Sequence, residues 1–328
     1  MALAVTALTA NTPAADAAPR PLALGIYPGG YAGGGSKDGA PDDGAKVVKA
    51  LDRLQDGSGF LVREYTGYNG TQTGGADAKQ FFGYLGHGRK LDLVLSYPGQ
   101  NTPLDGWLQY VREEVRVAGP RSASISLGVD VNLLAASDPS MVPGVVAGIE
   151  AAKDEARELG LRKLRIGFDE GAFGQADTTF WQSLATTGGT KLRDSIDYVG
   201  VELYPDVFRP SPGDLGQQAV SAINVVRTQE MPIAGLGDKV AIHVAENGWD
   251  TLAPRTEAQQ SAALTSELTA INANRAKLNI TSYEYFDLRD DKSNSTNMLD
   301  HLGLLNDDYT PKTAFQTYRQ LVRQLKHS

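Results

Sequence analysis

The sequence predicts an α/β protein built as a single (β/α)8 TIM barrel. Three observations carry that expectation. Short β-rich runs alternate with longer stretches of helical period, eight times over roughly 300 residues. The glycine-rich stretch after the first run, Gly29-Gly30-Tyr31-Ala32-Gly33-Gly34-Gly35, has neither dinucleotide-binding spacing nor a P-loop lysine, so the rival open sheet lacks its usual signature. No internal repeat or long linker divides the chain.

In order, the β-rich runs cover residues 22–27, 60–65, 91–97, 123–131, 163–168, 198–203, 240–245 and 282–286. Among the helical stretches, 143–159 sets Val145, Val146, Ile149, Ala152, Ala156 and Leu159 on one face. Residues 256–278 do the same with Leu264, Leu268, Ile271 and Leu278, and open with Thr256-Glu257-Ala258-Gln259, the spacing of a capping box. Residues 311–325 align Phe315, Tyr318, Val322 and Leu325, with Pro311 near the first turn, where proline is tolerated. Gly119-Pro120, Gly160 and Gly188-Gly189 mark helix ends. Trp107 and Trp181 fall in helical stretches and are expected in the core, and Trp249 falls on a strand-end loop.

Composition narrows the function. The chain has 328 residues, 31 basic against 39 acidic, for a net charge of −8. An acidic balance argues against a nucleic-acid partner. Apolar residues make up 41%, enough for a full-sized core. With no cysteine there are no disulfides, zinc-thiolate sites or iron–sulfur ligands. Four histidines without a His-x-x-x-His pair give no sign of a metal site, and no metal or cofactor is expected. The run Asp290 to Asn297 reads as a solvated loop and lacks EF-hand spacing.

No stretch approaches the ~20 apolar residues of a membrane span. Residues 1–20 read as the remnant of a secretory signal: small apolar residues, then Ala15-Asp16-Ala17 as a cleavage signal, although a basic leading region is missing. A disordered Ala/Thr-rich tail is the alternative. The expected organisation is therefore a leader over 1–20 and a catalytic barrel over 21–328, in a secreted, bacterial, monomeric protein.

In barrels the chemistry gathers at the C-terminal strand ends. Those ends offer Tyr27, Arg63, Tyr97, Asp130 with Asn132, Asp169 with Glu170, Glu202 with Tyr204, Glu246 and Asp287. This ring of carboxylates, tyrosines and one arginine suits glycosidic bond cleavage, in which one carboxylate is ionised and a second holds a proton.

The stretch His243-Val244-Ala245-Glu246-Asn247-Gly248-Trp249 resembles the seventh strand of clan A retaining glycoside hydrolases, whose nucleophile is a glutamate in this place, often followed by Asn-Gly. Arg63, in Leu61-Val62-Arg63, is similar to the arginine that the clan places after its second strand. Tyr204, in Val201-Glu202-Leu203-Tyr204-Pro205, is similar to its sixth-strand tyrosine. The resemblance covers residues 22–323. It implies a glycosidase of (β/α)8 fold acting on a glycoside, an oligosaccharide or a polysaccharide, with Glu246 as nucleophile, Arg63 favouring its ionised form and Tyr204 orienting it.

The fourth strand departs from the pattern. The clan ends it with Asn-Glu, the glutamate being the acid/base; here Val129 and Asp130 fall on those positions. Three outcomes stay open. Asp130 serves as the acid; Glu170 or Asp169 from the fifth strand takes the role; or the barrel binds carbohydrate without cleaving it. The further substrate-binding candidates are Asn132, Trp249, Tyr27 and Asp287. Trp249 either stacks on a sugar ring or packs beneath its own loop. A barrel lyase or isomerase is the weakest reading, because no lysine or metal-binding set stands at the strand ends and His243 precedes the end of its strand.

Overall fold

The computed structural model of the protein describes residues 20–326 apart from 58, 76 and 101. The expected leader over 1–20 lies outside the described residues except for Arg20. Eight parallel strands close into a barrel in sequence order: β1 (Ala23–Ile26), β2 (Leu61–Gly67), β3 (Lys90–Ser96), β4 (Ser122–Ser126), β5 (Arg165–Gly171), β6 (Tyr198–Leu203), β7 (Ala241–Asn247) and β8 (Ile280–Tyr285). The last strand pairs with the first, Leu24 opposite Tyr283 and Ile26 opposite Tyr285. The fold is the single (β/α)8 barrel that the alternating pattern predicts.

Around it lie α1 (Gly44–Gln55), α2 (Leu104–Ala118), α3 (Val131–Ser137), α4 (Met141–Glu158), α5 (Thr178–Ser195), α6 (Leu215–Val225), α7 (Glu257–Leu278) and α8 (Thr313–Leu325). Strict alternation breaks twice. Between β2 and β3 the chain winds as a 3-10 helix over Asp77–Tyr84, following a stretch with Gly67, Gly70, Gly74 and Gly75 that disfavours an α-helix. After β4 there are two helices, α3 and α4.

Local chemistry explains the helix ends. Thr256 and Gln259 form the reciprocal capping box that opens α7. Asp43, Asp177 and Asp214 accept backbone N–H groups at the starts of α1, α5 and α6. Three expectations change. Gly188-Gly189 lies inside α5 as a kink, Gly189 having a φ of 53°, because the helix resumes beyond it. Pro311 precedes the cap residue Lys312 and does not enter the first turn of α8. The fourth strand stops at Ser126, because Gly128 at φ 108° and Asp130 at φ 49° turn the chain into α3.

The main core fills the layer between strands and helices, where Trp107 and Trp181 are fully buried. The barrel interior is polar. Arg63, Asp92, Asp169, His243 and Glu284 are all buried there. Nor is the loop after β8 simply solvated: Asp290 and Asp291 are buried, and Lys312 Nζ reaches Asp290 at 2.5 Å. No helix among the described residues is long and apolar enough to cross a membrane.

Candidate active site

Glu246, the sixth residue of β7, is 7% exposed at the C-terminal mouth of the barrel. Tyr65 donates to its Oε1 at 2.5 Å and Tyr204 donates to its Oε2 at 2.7 Å. The Arg63 guanidinium lies 3.6 Å from Oε1. Both carboxylate oxygens therefore face donors, from β2 and from the loop after β6.

Simple alternation along β7 does not aim Glu246 inward. His243 points inside the barrel, where it stacks on Tyr198 with ring centroids 3.8 Å apart. A residue three further along a regular strand faces the opposite way. The ladder slips here: Val201 pairs with Val244, but Glu202 pairs with Glu246, so Ala245 is an extra residue on β7. Such a bulge re-aims the side chain that follows it. Asn247 then points outward, where its amide donates to Leu203 O at 2.8 Å and to Glu267 of α7, and its carbonyl accepts from Tyr283 at 2.6 Å.

Arg63 is fully buried and lies between two further carboxylates, Asp92 and Asp169, each at 2.7 Å. Its Nε also donates to the Tyr65 hydroxyl at 2.6 Å. Burial works to raise the Asp92 carboxyl, yet Arg63 and the Ser124 hydroxyl hold it below the usual range. Burial dominates at Asp169 and pushes it up to about 6 despite Arg63. Burial also lifts Glu246, against the pull of Arg63 and the two tyrosine hydrogen bonds.

Glu202 is the neighbour that matters most to Glu246. It is 4% exposed, it accepts the Asp130 backbone N–H at 3.0 Å, and it sits in register with Glu246. Burial raises its carboxyl well above the ordinary range, and the charges of Glu246 and Asp130 add to the shift. Among the described residues no cation pairs with Glu202, whereas Glu246 has Arg63 and two hydroxyl donors. One proton between the two therefore resides on Glu202 and leaves Glu246 ionised.

Asp130 stands at the N-cap position of α3 without a side-chain capping bond and is half-buried, beside Glu202 and the Gly171 backbone. Asn132 is fully engaged by the Gly171 backbone: it donates to the carbonyl and accepts from the N–H, both at 3.0 Å. Glu170 faces away from this group, into the helix layer, where Trp181 Nε1 donates to it at 3.0 Å. Trp249 is 5% exposed, packs with Phe286, Val207 and Ala263, and is covered by Arg255 at 4.6 Å from the ring centroid. Asp287 is fully buried, and neither of its oxygens has a hydrogen-bond partner among the described residues. Tyr27 stacks on Phe286 at 4.8 Å and meets the Tyr65 ring edge-on at 5.2 Å. The structure thus gathers Glu246, Arg63, Tyr204 and Asp130 with Glu202 and Tyr65, while Glu170, Asn132 and Trp249 are held in other contacts.

Tyr65 had a legible signal, since it lies two residues beyond Arg63 on the same strand face. Exposed aromatics also ring the mouth: Tyr31 at 43%, Phe173 at 53% and Phe208 at 51%, in the loops after β1, β5 and β6.

Fold and site together define a (β/α)8 barrel with a cluster of acids at its C-terminal face, one of them held by two tyrosines and an arginine. No known protein-family description and no curated protein matches the sequence. Solved structures do share the architecture, glycoside hydrolases among them. An apo β-glucosidase is 15% identical, with a TM-score of 0.61 over 86% of this chain and 88% of that one. A glucosidase from Croceicoccus marinus is 14% identical, with a TM-score of 0.66 over 93% of this chain and 68% of that one. A β-glucosidase from Thermotoga maritima, in complex with noeuromycin, is 11% identical, with a TM-score of 0.64 over 91% and 92%. The chain shares their barrel fold.

Proposed function

We propose that the protein is a glycoside hydrolase with Glu246 as nucleophile and Asp130 as acid/base. The observation that carries this reading is the cage around Glu246: two tyrosine hydroxyls within 2.7 Å and an arginine at 3.6 Å, on a carboxylate at the mouth of a barrel. A nucleophile must be ionised and oriented, and these three groups favour the charged form and fix both oxygens. Glu246 attacks the anomeric carbon as the glycosidic C–O bond breaks, and the leaving oxygen takes a proton from Asp130. Water, deprotonated by Asp130, then displaces the sugar from Glu246. Asp130 suits the second role by position: it is half-buried at the strand ends, beside Glu202 and the Gly171 backbone. Tyr31, Phe173 and Phe208 offer apolar faces to sugar rings around the mouth.

A panel of aryl glycosides tests the reading. Wild type is expected to turn over at least one of them. Glu246→Gln should abolish that activity with an unchanged circular dichroism spectrum. Asp130→Ala should lose about 10²–10⁴-fold and regain rate with azide. Full activity in Glu246→Gln would overturn the assignment. No turnover of any glycoside, with retained oligosaccharide binding, would make the protein a non-hydrolytic carbohydrate binder on the same barrel.

A further inference from the structure

We infer that the end of the barrel opposite Glu246 is a binding site for a compact polyanion, a molecule bearing several clustered phosphate or sulfate groups. A cavity of about 1060 Å3 opens at the N-terminal ends of the strands. The first residues of seven of the eight strands line it, so it is built by the barrel itself and not by a loose loop. Its volume is at the upper end of the range for small-molecule sites.

The walls are strongly one-signed. Arg20, Lys90, Arg162, Lys163, Lys239 and Arg275 line the cavity, and Arg165 is a seventh cation. One carboxylate, Asp197, lines it with them. That carboxylate is already taken by Lys153 at 2.6 Å, with Arg165 at 3.8 Å. Among the described residues, none of the other six cations forms an ion pair with a carboxylate. Such a gathering runs against a chain whose net charge is −8. A concave surface with one sign of charge and low-dielectric walls focuses its field on the interior and raises the local concentration of opposite charge.

Complementing the helix dipoles accounts for part of this. Arg275 stands in the last turn of α7, and Arg162 and Lys163 follow α4, where cations are favoured. It does not account for the cavity floor. His243 and Ser282 are register partners on β7 and β8, and both line the cavity. They are 7% and 2% exposed, and among the described residues the His243 Nδ1 and Ser282 Oγ atoms have no hydrogen-bond partner. Buried polar atoms are ordinarily satisfied, so an unpartnered pair beneath a ring of cations marks a place for ligand oxygens. Arginine forks and lysine ammonium groups suit phosphate and sulfate in particular.

Isothermal titration of the full chain with tripolyphosphate, and separately with sucrose octasulfate, tests the inference and separates a phosphate chain from a sulfated sugar. At low ionic strength at least one should bind with 1:1 stoichiometry. Raising the salt to 0.5 M should weaken that binding at least tenfold, as screening demands of an ion-paired complex. The exposed triple variant Arg162→Gln/Lys163→Gln/Lys239→Gln should keep the wild-type fold and lose at least tenfold in affinity. Lys46→Gln/Lys49→Gln on α1 removes charge elsewhere and should leave binding within about twofold. Glu246→Gln should bind as wild type does, so the outcome does not depend on any glycosidase activity. Failure of both probes to bind at low salt would overturn the inference. So would wild-type affinity in the triple variant, or an equal loss in the α1 variant.

Discussion

Arg63→Met tests the electrostatic design of the barrel interior most directly. The methionine keeps much of the buried stem and removes the cation that Asp92 and Asp169 share at 2.7 Å each and that Glu246 meets at 3.6 Å. Removing one partner of a buried ion pair costs about 3–5 kcal/mol, because the remaining charge is left uncompensated in a medium that solvates it poorly. Two close pairs are broken here, and Arg63 and both aspartates are at most 1% exposed, so the upper half of that range is expected at neutral pH. The loss must depend on pH. In the wild type Arg63 helps keep Asp92 below the usual carboxylate range, so Asp92 contributes stability above its unfolded pKa that is lost as pH falls. Asp169 has a folded value near 6, above its unfolded value of 3.8. Its contribution is therefore complete below 3.8 and lost as pH rises through about 6. Without Arg63 both carboxyls move up, and the penalty grows as pH rises. Urea unfolding followed by tryptophan fluorescence should give a difference from wild type of about 4 kcal/mol at pH 7.5 and less than half of that at pH 4.5. A difference below 1 kcal/mol at pH 7.5, or one equal at both pH values, would refute this account of the interior.

Two further predictions follow from the neighbours of Glu246. Tyr204→Phe removes a donor at 2.7 Å from the carboxylate. A charge-assisted hydrogen bond of about 1.5–3 kcal/mol corresponds to roughly one to two pKa units upward for Glu246. In the proposed reaction Glu246 works as the anion, so the acid limb of kcat/KM should move about one to two pH units toward alkali; an unmoved limb would deny Tyr204 the orienting role proposed for it. Glu267 of α7 is 1% exposed, and burial pushes its carboxyl up to about 8 despite the Asn247 amide. Its stabilising contribution is complete below its unfolded pKa and is lost as pH rises through about 8. Glu267→Gln keeps the acceptor for Asn247 without that liability, so thermal melts should show the variant gaining on wild type between pH 5 and pH 8; the reverse trend would show that Glu267 is charged in the folded protein.

The barrel is legible in the sequence because each strand is an apolar run and each helical stretch has its own period. The seventh-strand motif singles out Glu246 in the same way. The other acids are harder to read, because both faces of a barrel strand are buried and alternation is muted. On β5, Asp169 and Glu170 are adjacent and face opposite ways. Phe168 and Glu170 share the outer face, where Phe168 meets Phe180 and Trp181 and Glu170 meets Trp181. Nothing in the letters Phe-Asp-Glu says which acid turns inward. The place of Asn132 after Asp130 suggests a side chain facing substrate, but its amide closes a pair of hydrogen bonds with the Gly171 backbone, a partner 39 residues away. Trp249 is covered by an arginine six residues further on, which a strand-end position does not reveal.

The pairing of Glu246 with Glu202 was the feature least open to sequence reading, and the reason lies in backbone geometry. Counting by twos from His243 puts Ala245 and Asn247 inside the barrel and Glu246 outside. The extra residue at Ala245 reverses that parity, turns Glu246 inward, and sets it in register with Glu202. The same irregularity therefore does two things at once. It brings the candidate nucleophile under Tyr65 and Tyr204, and it places beside it a second carboxyl that has no cation of its own. Two buried acids in neighbouring strands cannot both be charged without a large cost, and the donors are arranged unequally: three groups favour the anion at Glu246, and one backbone N–H, that of Asp130, reaches Glu202. This asymmetry favours the anion at Glu246, the state that a nucleophile needs, by keeping its buried neighbour uncharged. The same Glu202 accepts the backbone N–H of Asp130 at 3.0 Å, so the two strand-end acids and the start of α3 are fixed to one another.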